Sequence, residues 1–171
     1  MLVVCTGNAA RSVMAGYMLE WLAATRGLRV DVATAGTHAV DGLPMGMRTR
    51  EALRAVPALD GLSLSRHRSR QLAQAAVDEA TLLVAMEADH VRYVRRRHPE
   101  AAARTGTLRR LCRELPPGPG PLAERVAALG LADRELGAGE DVDDPAGKDD
   151  AAYRACALEL WELCQELAGR L

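Results

Sequence analysis

Phenylalanine is absent from this chain, and aromatic side chains of any kind make up only 3% of it, as two Trp and three Tyr. The core must therefore be built from Leu, Val, Ala and Met. Long apolar runs are missing as well. No stretch approaches the ~18 apolar residues of a membrane span, and no secretory segment is visible. The four cysteines, Cys5, Cys112, Cys156 and Cys164, include no CxxC pair and no Cys/His group at zinc spacing. A disulfide framework is not expected at this size, so the sequence predicts a cytoplasmic protein with reduced thiols. An excess of one charge is lacking too, with 22 Lys and Arg facing 23 Asp and Glu. No basic field argues for nucleic acid, and no acidic excess argues for disorder.

What is present fits one folded unit. At 171 residues and 49% hydrophobic content, a single domain over residues 1–171 can bury a sizeable core. Leu2 to Val4 is short, apolar and β-branched, and is predicted to be a buried strand. Ser12 through Thr25 has helical spacing and ends at Arg26-Gly27. RVDVAT (29–34) alternates like a second strand, and Met47 to Val56 reads as a helix stopped by Pro57. The apolar run ATLLVAM (80–86) is predicted to be a buried parallel strand. A helix over Asp89–Arg97, a short fourth strand over Thr105–Leu111, a short helix over Leu122–Leu129 and a closing helix over Asp149–Leu171 complete the order. LPPGPGP (115–121) breaks the chain, and GAGEDVDDPAGKDD (137–150) is a polar, acidic loop. Alternating strands and helices imply an open, twisted, parallel four-stranded α/β sheet with helices on both faces. Ligands bind such sheets at the carboxyl ends of strands, where Cys5 sits.

The stretch CTGNAARS (5–12) between the first strand and the first helix carries chemistry. Its amides, with those of the first helical turn, would form an anion nest at the positive end of a helix dipole. Gly7 permits close approach and unusual φ, and Asn8 tolerates a left-handed conformation. Arg11 supplies a planar fork for two phosphate oxygens. All of this favours the thiolate of Cys5 and makes it a nucleophile. Spacing alone means little, because Cys164 and Arg170 repeat the C-x5-R distance inside the closing helix, with no strand before and no glycine loop at the cysteine. The strand, Gly7-Asn8 and the helix starting near Ser12 are what make Cys5 specific.

VVCTGNAARSVMA resembles the phosphate-binding loop of the low-molecular-weight protein tyrosine phosphatases, and of their relatives the thioredoxin-coupled arsenate reductases and bacterial protein-arginine phosphatases. The likeness continues through TAGTH (34–38) with GLP (42–44), GLSLSRHRSRQL (61–72), ATLLVAMEADH (80–90) and DVDDPAG (141–147), in the family's order. The resemblance implies a three-layer fold and a two-step phosphomonoester hydrolysis with no metal or cofactor. Cys5 would attack phosphorus, with Arg11 and the loop Thr6, Gly7, Asn8, Ala9, Ala10, Arg11 and Ser12 holding the phosphate. Asp144, followed by Pro145, would be the general acid and base, with Asp143 as the competitor one residue away. Asn8, Ser12, Thr34 and His67 would brace the loop, and Ser12 would ease departure of the Cys5 sulfur.

Departures from the family pattern bear on substrate and control. Ala10 stands where many members carry a second, guarding cysteine, so Cys5 is open to overoxidation. Val13 replaces a proline at the start of the helix, a position where proline is helpful but not required. The aromatic walls that often follow the SAGT and Asp-Pro segments are missing, since these regions read HAVDGLP and Ala146-Gly147. Ala9 replaces the threonine of the protein-arginine phosphatases. No further cysteine follows the third strand, which counts against arsenate reduction. The expected partner is a phosphorylated protein or a small-molecule phosphate ester, with no nucleic acid and no membrane. A non-catalytic phosphate-binding module is the reading from another class, and retention of both Cys5 and Asp144 argues against it. The Arg66/Arg68/Arg70 and Arg92/Arg95/Arg96/Arg97 groups are predicted to be solvated or ion-paired faces.

Overall fold

Alternation along the first strand decides how the sheet is covered. Successive side chains of a strand point to opposite faces. Val3 and Cys5 join one core cluster, and Leu2 and Val4 join another. In the computed structural model, which describes residues 1–171, the strands are β1 (Leu2–Cys5), β2 (Ala33–Gly36), β3 (Leu83–Ala85) and β4 (Thr105–Thr107). They form one parallel sheet in the order β2-β1-β3-β4. Seven helices follow the chain as α1 (Arg11–Arg26), α2 (Met47–Arg54), α3 (Gln74–Glu79), α4 (Ala88–Arg97), α5 (Leu108–Glu114), α6 (Leu122–Ala127) and α7 (Asp150–Ala168). The larger cluster packs α1, α2, α5 and α7 on the Val3 face, and the smaller packs α3 and α4 on the Leu2 face. The expected four-stranded parallel α/β architecture is the observed one. No helix is long and apolar enough to cross a membrane.

Two strands differ from their sequence reading. Alternation in 29–34 predicts a strand there, but β2 begins at Ala33, paired with Leu2. Residues 29–32 run past the amino end of β1 and have no strand to pair with, whatever their pattern. The predicted fourth strand is cut to three residues because Thr107 caps a helix. Its hydroxyl accepts the Arg110 N–H at 3.2 Å, and α5 starts at Leu108. α3 was not expected at all.

β1 lies between β2 and β3, so the chain leaves it to opposite sides and opens a crevice at the carboxyl ends of the strands. Cys5 is the last residue of β1, and the loop that follows lines this crevice.

Candidate active site

The loop after β1 is held in a form that frees its amides. None of the backbone N–H groups from Gly7 through Ser12 donates to a backbone acceptor. The left-handed residue is Asn8, with φ of 49°, in keeping with its tolerance of that conformation, and Gly7 is not among the positive-φ residues. Gly36, at the end of β2, makes room for the turn. A Cβ there would lie 2.6 Å from the Thr6 carbonyl oxygen and 2.8 Å from the Asn8 nitrogen.

Asn8 is fully buried and acts as the loop's internal tie. Its Oδ1 accepts the Arg70 N–H at 2.9 Å, which turns Nδ2 toward Ser12 Oγ, 3.0 Å away. Ser12 Oγ lies 2.9 Å from Cys5 Sγ. Because Asn8 already donates to that oxygen, the Ser12 proton is free to point at the sulfur. His67 Nε2 donates to the Asn8 carbonyl at 3.0 Å, and burial pushes the imidazole below its usual pKa, so the ring serves as a neutral donor. Thr49 on α2 donates to the Ala9 carbonyl at 2.9 Å. Thr34 takes no part in these bonds. It pairs with Val3, two residues before Cys5, and its methyl fills the space beside Gly16, where a Cβ would come within 2.4 Å. The later start of β2 is what sets Thr34 back from the loop.

Arg11 is 1% exposed, and a guanidinium buried this deeply is stable only with partners. Nη1 donates to Glu87 and, at 2.9 Å, to the Val142 carbonyl, while Nη2 donates to Asp144 Oδ2 at 2.6 Å. Asp143, the competitor for the acid, is exposed and forms no side-chain bond to Arg11. The acid loop reaches this position because its start is anchored. Glu140 is buried against Arg110, with Nη2 to Oε1 at 2.6 Å, and also receives the Thr107 hydroxyl. Burial alone would raise the Glu140 carboxyl, but these bonds hold it below the usual range. Asp141 then accepts the Ala88 N–H at 2.7 Å, and Val142 N donates to the Met86 carbonyl at 2.8 Å. Arg48 clamps the far end, donating to the Lys148 carbonyl at 2.9 Å and pairing with Asp150 at 2.9 Å. Reading the loop as a solvated acidic stretch missed these anchors. Asp141 and Glu140 were unreadable as such, because their partners lie far away in sequence.

Beneath the loop, His90 Nε2 lies 3.0 Å from Thr6 Oγ1. His90 is 3% exposed, and burial, with Arg11 nearby, lowers its pKa to about 4, so the ring is neutral. Its Nδ1 is buried without a partner. The less costly tautomer leaves that atom a bare lone pair and places the proton on Nε2, donating to Thr6. The other three thiols are unsuited to attack. Burial pushes Cys112 and Cys156 up to about 12 and drives Cys164 higher still. Cys164 lies in the core of α7, and Arg170 binds the Leu115 carbonyl, so the second C-x5-R spacing is packing.

Cys5, Arg11 and Asp144 share one pocket of about 220 Å³. Gly7, Ala9, Ala10 and Ala146 make most of its rim small, and Tyr153, from the first turn of α7, is its one aromatic. The larger cavity of about 750 Å³ lies at the amino ends of the strands, beside Met1, Asp31 and Thr81, and none of Cys5, Arg11 and Asp144 lines it. The arginine-rich stretches are largely engaged. Arg66 pairs with Glu20, Arg92 with Asp89 at 2.6 Å, and Arg95 binds the carbonyls of Leu131 and Arg134.

The family model of the low molecular weight phosphotyrosine protein phosphatases matches residues 1–116. The chain belongs to this family. It is a cysteine-dependent phosphatase of the low-molecular-weight type. It is 31% identical over 171 residues to a protein-arginine-phosphatase of Geobacillus stearothermophilus, covering 99% of this chain and 94% of that one. It is 36% identical over 110 residues to the probable low molecular weight protein-tyrosine-phosphatase EpsP of Ralstonia solanacearum, covering 64% of this chain and 68% of that one. Among solved structures, it matches the low molecular weight protein tyrosine phosphatase of T. tengcongensis with a TM-score of 0.78 and 27% identity, over 99% and 97% of the two chains.

Proposed function

We propose that this phosphatase works through a phosphocysteine on Cys5. The observation that carries this reading is the run of unpartnered amides from Gly7 to Ser12, in a pocket shared by Cys5, Arg11 and Asp144. The entering phosphoryl oxygens take these amides and the Nη2 edge of Arg11, in the place Asp144 holds in the free enzyme. Glu87 and the Val142 carbonyl keep Nη1 fixed from behind, so the fork is already oriented. The Cys5 thiolate attacks phosphorus, the bond from phosphorus to the leaving oxygen breaks, and Asp144 gives its proton to that oxygen. Water then attacks the phosphocysteine, Asp144 takes the water proton, and the sulfur leaves as a thiolate that receives the Ser12 hydrogen bond.

The substrate is a phosphorylated protein or a small-molecule phosphate ester. Phosphoarginine is a specific second reading, favoured by the near full-length match to a protein-arginine-phosphatase. Steady-state hydrolysis of p-nitrophenyl phosphate by wild type and by Cys5→Ala tests the reaction. Loss of turnover by roughly three orders of magnitude in the variant is the expected result. Turnover that survives the substitution removes the mechanism.

A further inference from the structure

We propose that the cleft beneath the Arg66–Glu20 ion pair, on the outer side of α1, is a second binding site. Its ligand is a small, neutral aromatic molecule with a carbonyl oxygen that the Tyr17 hydroxyl receives. The cleft shares no lining residue with the pocket of Cys5.

Tyr17 sets the chemistry. It is 7% exposed, and its hydroxyl is buried without a hydrogen-bond partner. A buried hydroxyl left unpaired costs stability, and native folds keep few of them. Two cavities meet at this residue. The outer one, of about 360 Å³, is walled by the rings of Tyr17 and Trp21 and by Ala24 and Leu62. The inner one, of about 90 Å³, ends on Val32, Thr34 and His67. Tyr17, Glu20 and Arg66 line both, so they form the partition. The Arg66 guanidinium lies 5.3 Å from the centre of the Tyr17 ring and pairs with Glu20. The Arg66 side chain is 65% exposed, and an ion pair so open to water holds weakly. Swinging the pair outward joins the two cavities and uncovers the hydroxyl.

The occupant follows from these walls. Two aromatic rings and two aliphatic side chains accept the face of a planar ring, and a cavity of this size suits a small molecule. The unpaired O–H calls for an acceptor oxygen. Glu20 and Arg66 already neutralise each other, and burial pushes the Glu20 carboxyl up, so an anion there would face a carboxylate short of water. A neutral aromatic amide has each required feature.

Both tryptophans of the chain stand at this corner, with the Trp21 and Trp161 rings edge to face at 5.6 Å. Their two indole N–H signals therefore report on the site in an NMR titration of isotope-labelled protein with benzamide. A saturable shift of the Trp21 signal is expected, and it should persist when inorganic phosphate fills the Cys5 pocket. Tyr17→Phe removes an unpaired hydroxyl and so folds at least as well as wild type, but is expected to bind benzamide about fivefold more weakly, the size of one hydrogen bond. Ala24→Leu fills the outer cavity from an exposed position and is expected to abolish the shift. Benzoate, of the same shape but charged, is expected to bind more weakly than benzamide. No saturable shift in wild type, equal affinity in Tyr17→Phe, an undiminished shift in Ala24→Leu, displacement by phosphate, or benzoate binding as tightly as benzamide overturns the proposal.

Discussion

A guanidinium at 1% exposure needs partners, and those of Arg11 are Glu87, the Val142 carbonyl and Asp144. They differ in what they can do. Glu87 and Val142 hold the arginine from the protein side, while Asp144 is 38% exposed in its side chain and lies in the pocket mouth. The neighbouring Asp143 points to solvent. Asp144→Asn is expected to lower kcat on a substrate with a poor leaving group by about a hundredfold or more, the usual size of a general-acid contribution. Asp143→Asn is expected to stay near wild type. Measured side by side, the reverse order would place the acid one residue earlier. The pairing of Asp144 with Pro145 pointed to this residue in the sequence. Glu87 could not be read there, because nothing in MEADH marks it as the partner of an arginine 76 positions away.

At the scale of elements, period and punctuation fixed most of what is seen. β1, α1, β3 and α7 follow from apolar spacing and from the turn at Gly27. β2 and β4 do not, since alternation in 29–34 had no partner and the cap at Thr107 left no signal in an apolar-basic run. The turn from β3 into α4 also has a consequence for stability. It buries His90 under Thr6, with a pKa of about 4 against 6.5 for the unexposed-to-structure side chain. Below pH 6.5 the unfolded chain binds a proton that the folded chain refuses. The stability from His90 is therefore complete above that pH and is lost as pH falls toward about 4, and His67, also lowered by burial, acts in the same direction. Denaturant unfolding is expected to show a loss of about 2 kcal/mol from His90 between roughly pH 7 and pH 5. His90→Gln should flatten that part of the profile. An identical pH dependence in the variant would show that His90 does not titrate this way.

For the whole molecule, four parallel strands bring to one edge groups that stand far apart in the chain: Cys5 and Arg11 near the start, His67 and Glu87 in the middle, Asp144 and Tyr153 near the end. The loop was legible because its small residues, its arginine and its flanking strand and helix are contiguous. The place of Tyr153 in the pocket was not, because it depends on how α7 docks on α2 after the acid loop has turned. Thr34, expected to brace the loop, makes no bond to it for the same kind of reason, a strand register that only the assembled sheet sets. The claim that unites these positions is a covalent intermediate on one sulfur among four. The most direct measurement is an acid quench of wild type during turnover of an aryl phosphate, followed by peptide mass mapping. The expected result is a phosphoryl group on the peptide containing Cys5. A phosphoryl group on any other residue, or turnover on a poorly hydrolysed substrate with no phosphorylated peptide even when Asp144→Asn slows the second step, would contradict it.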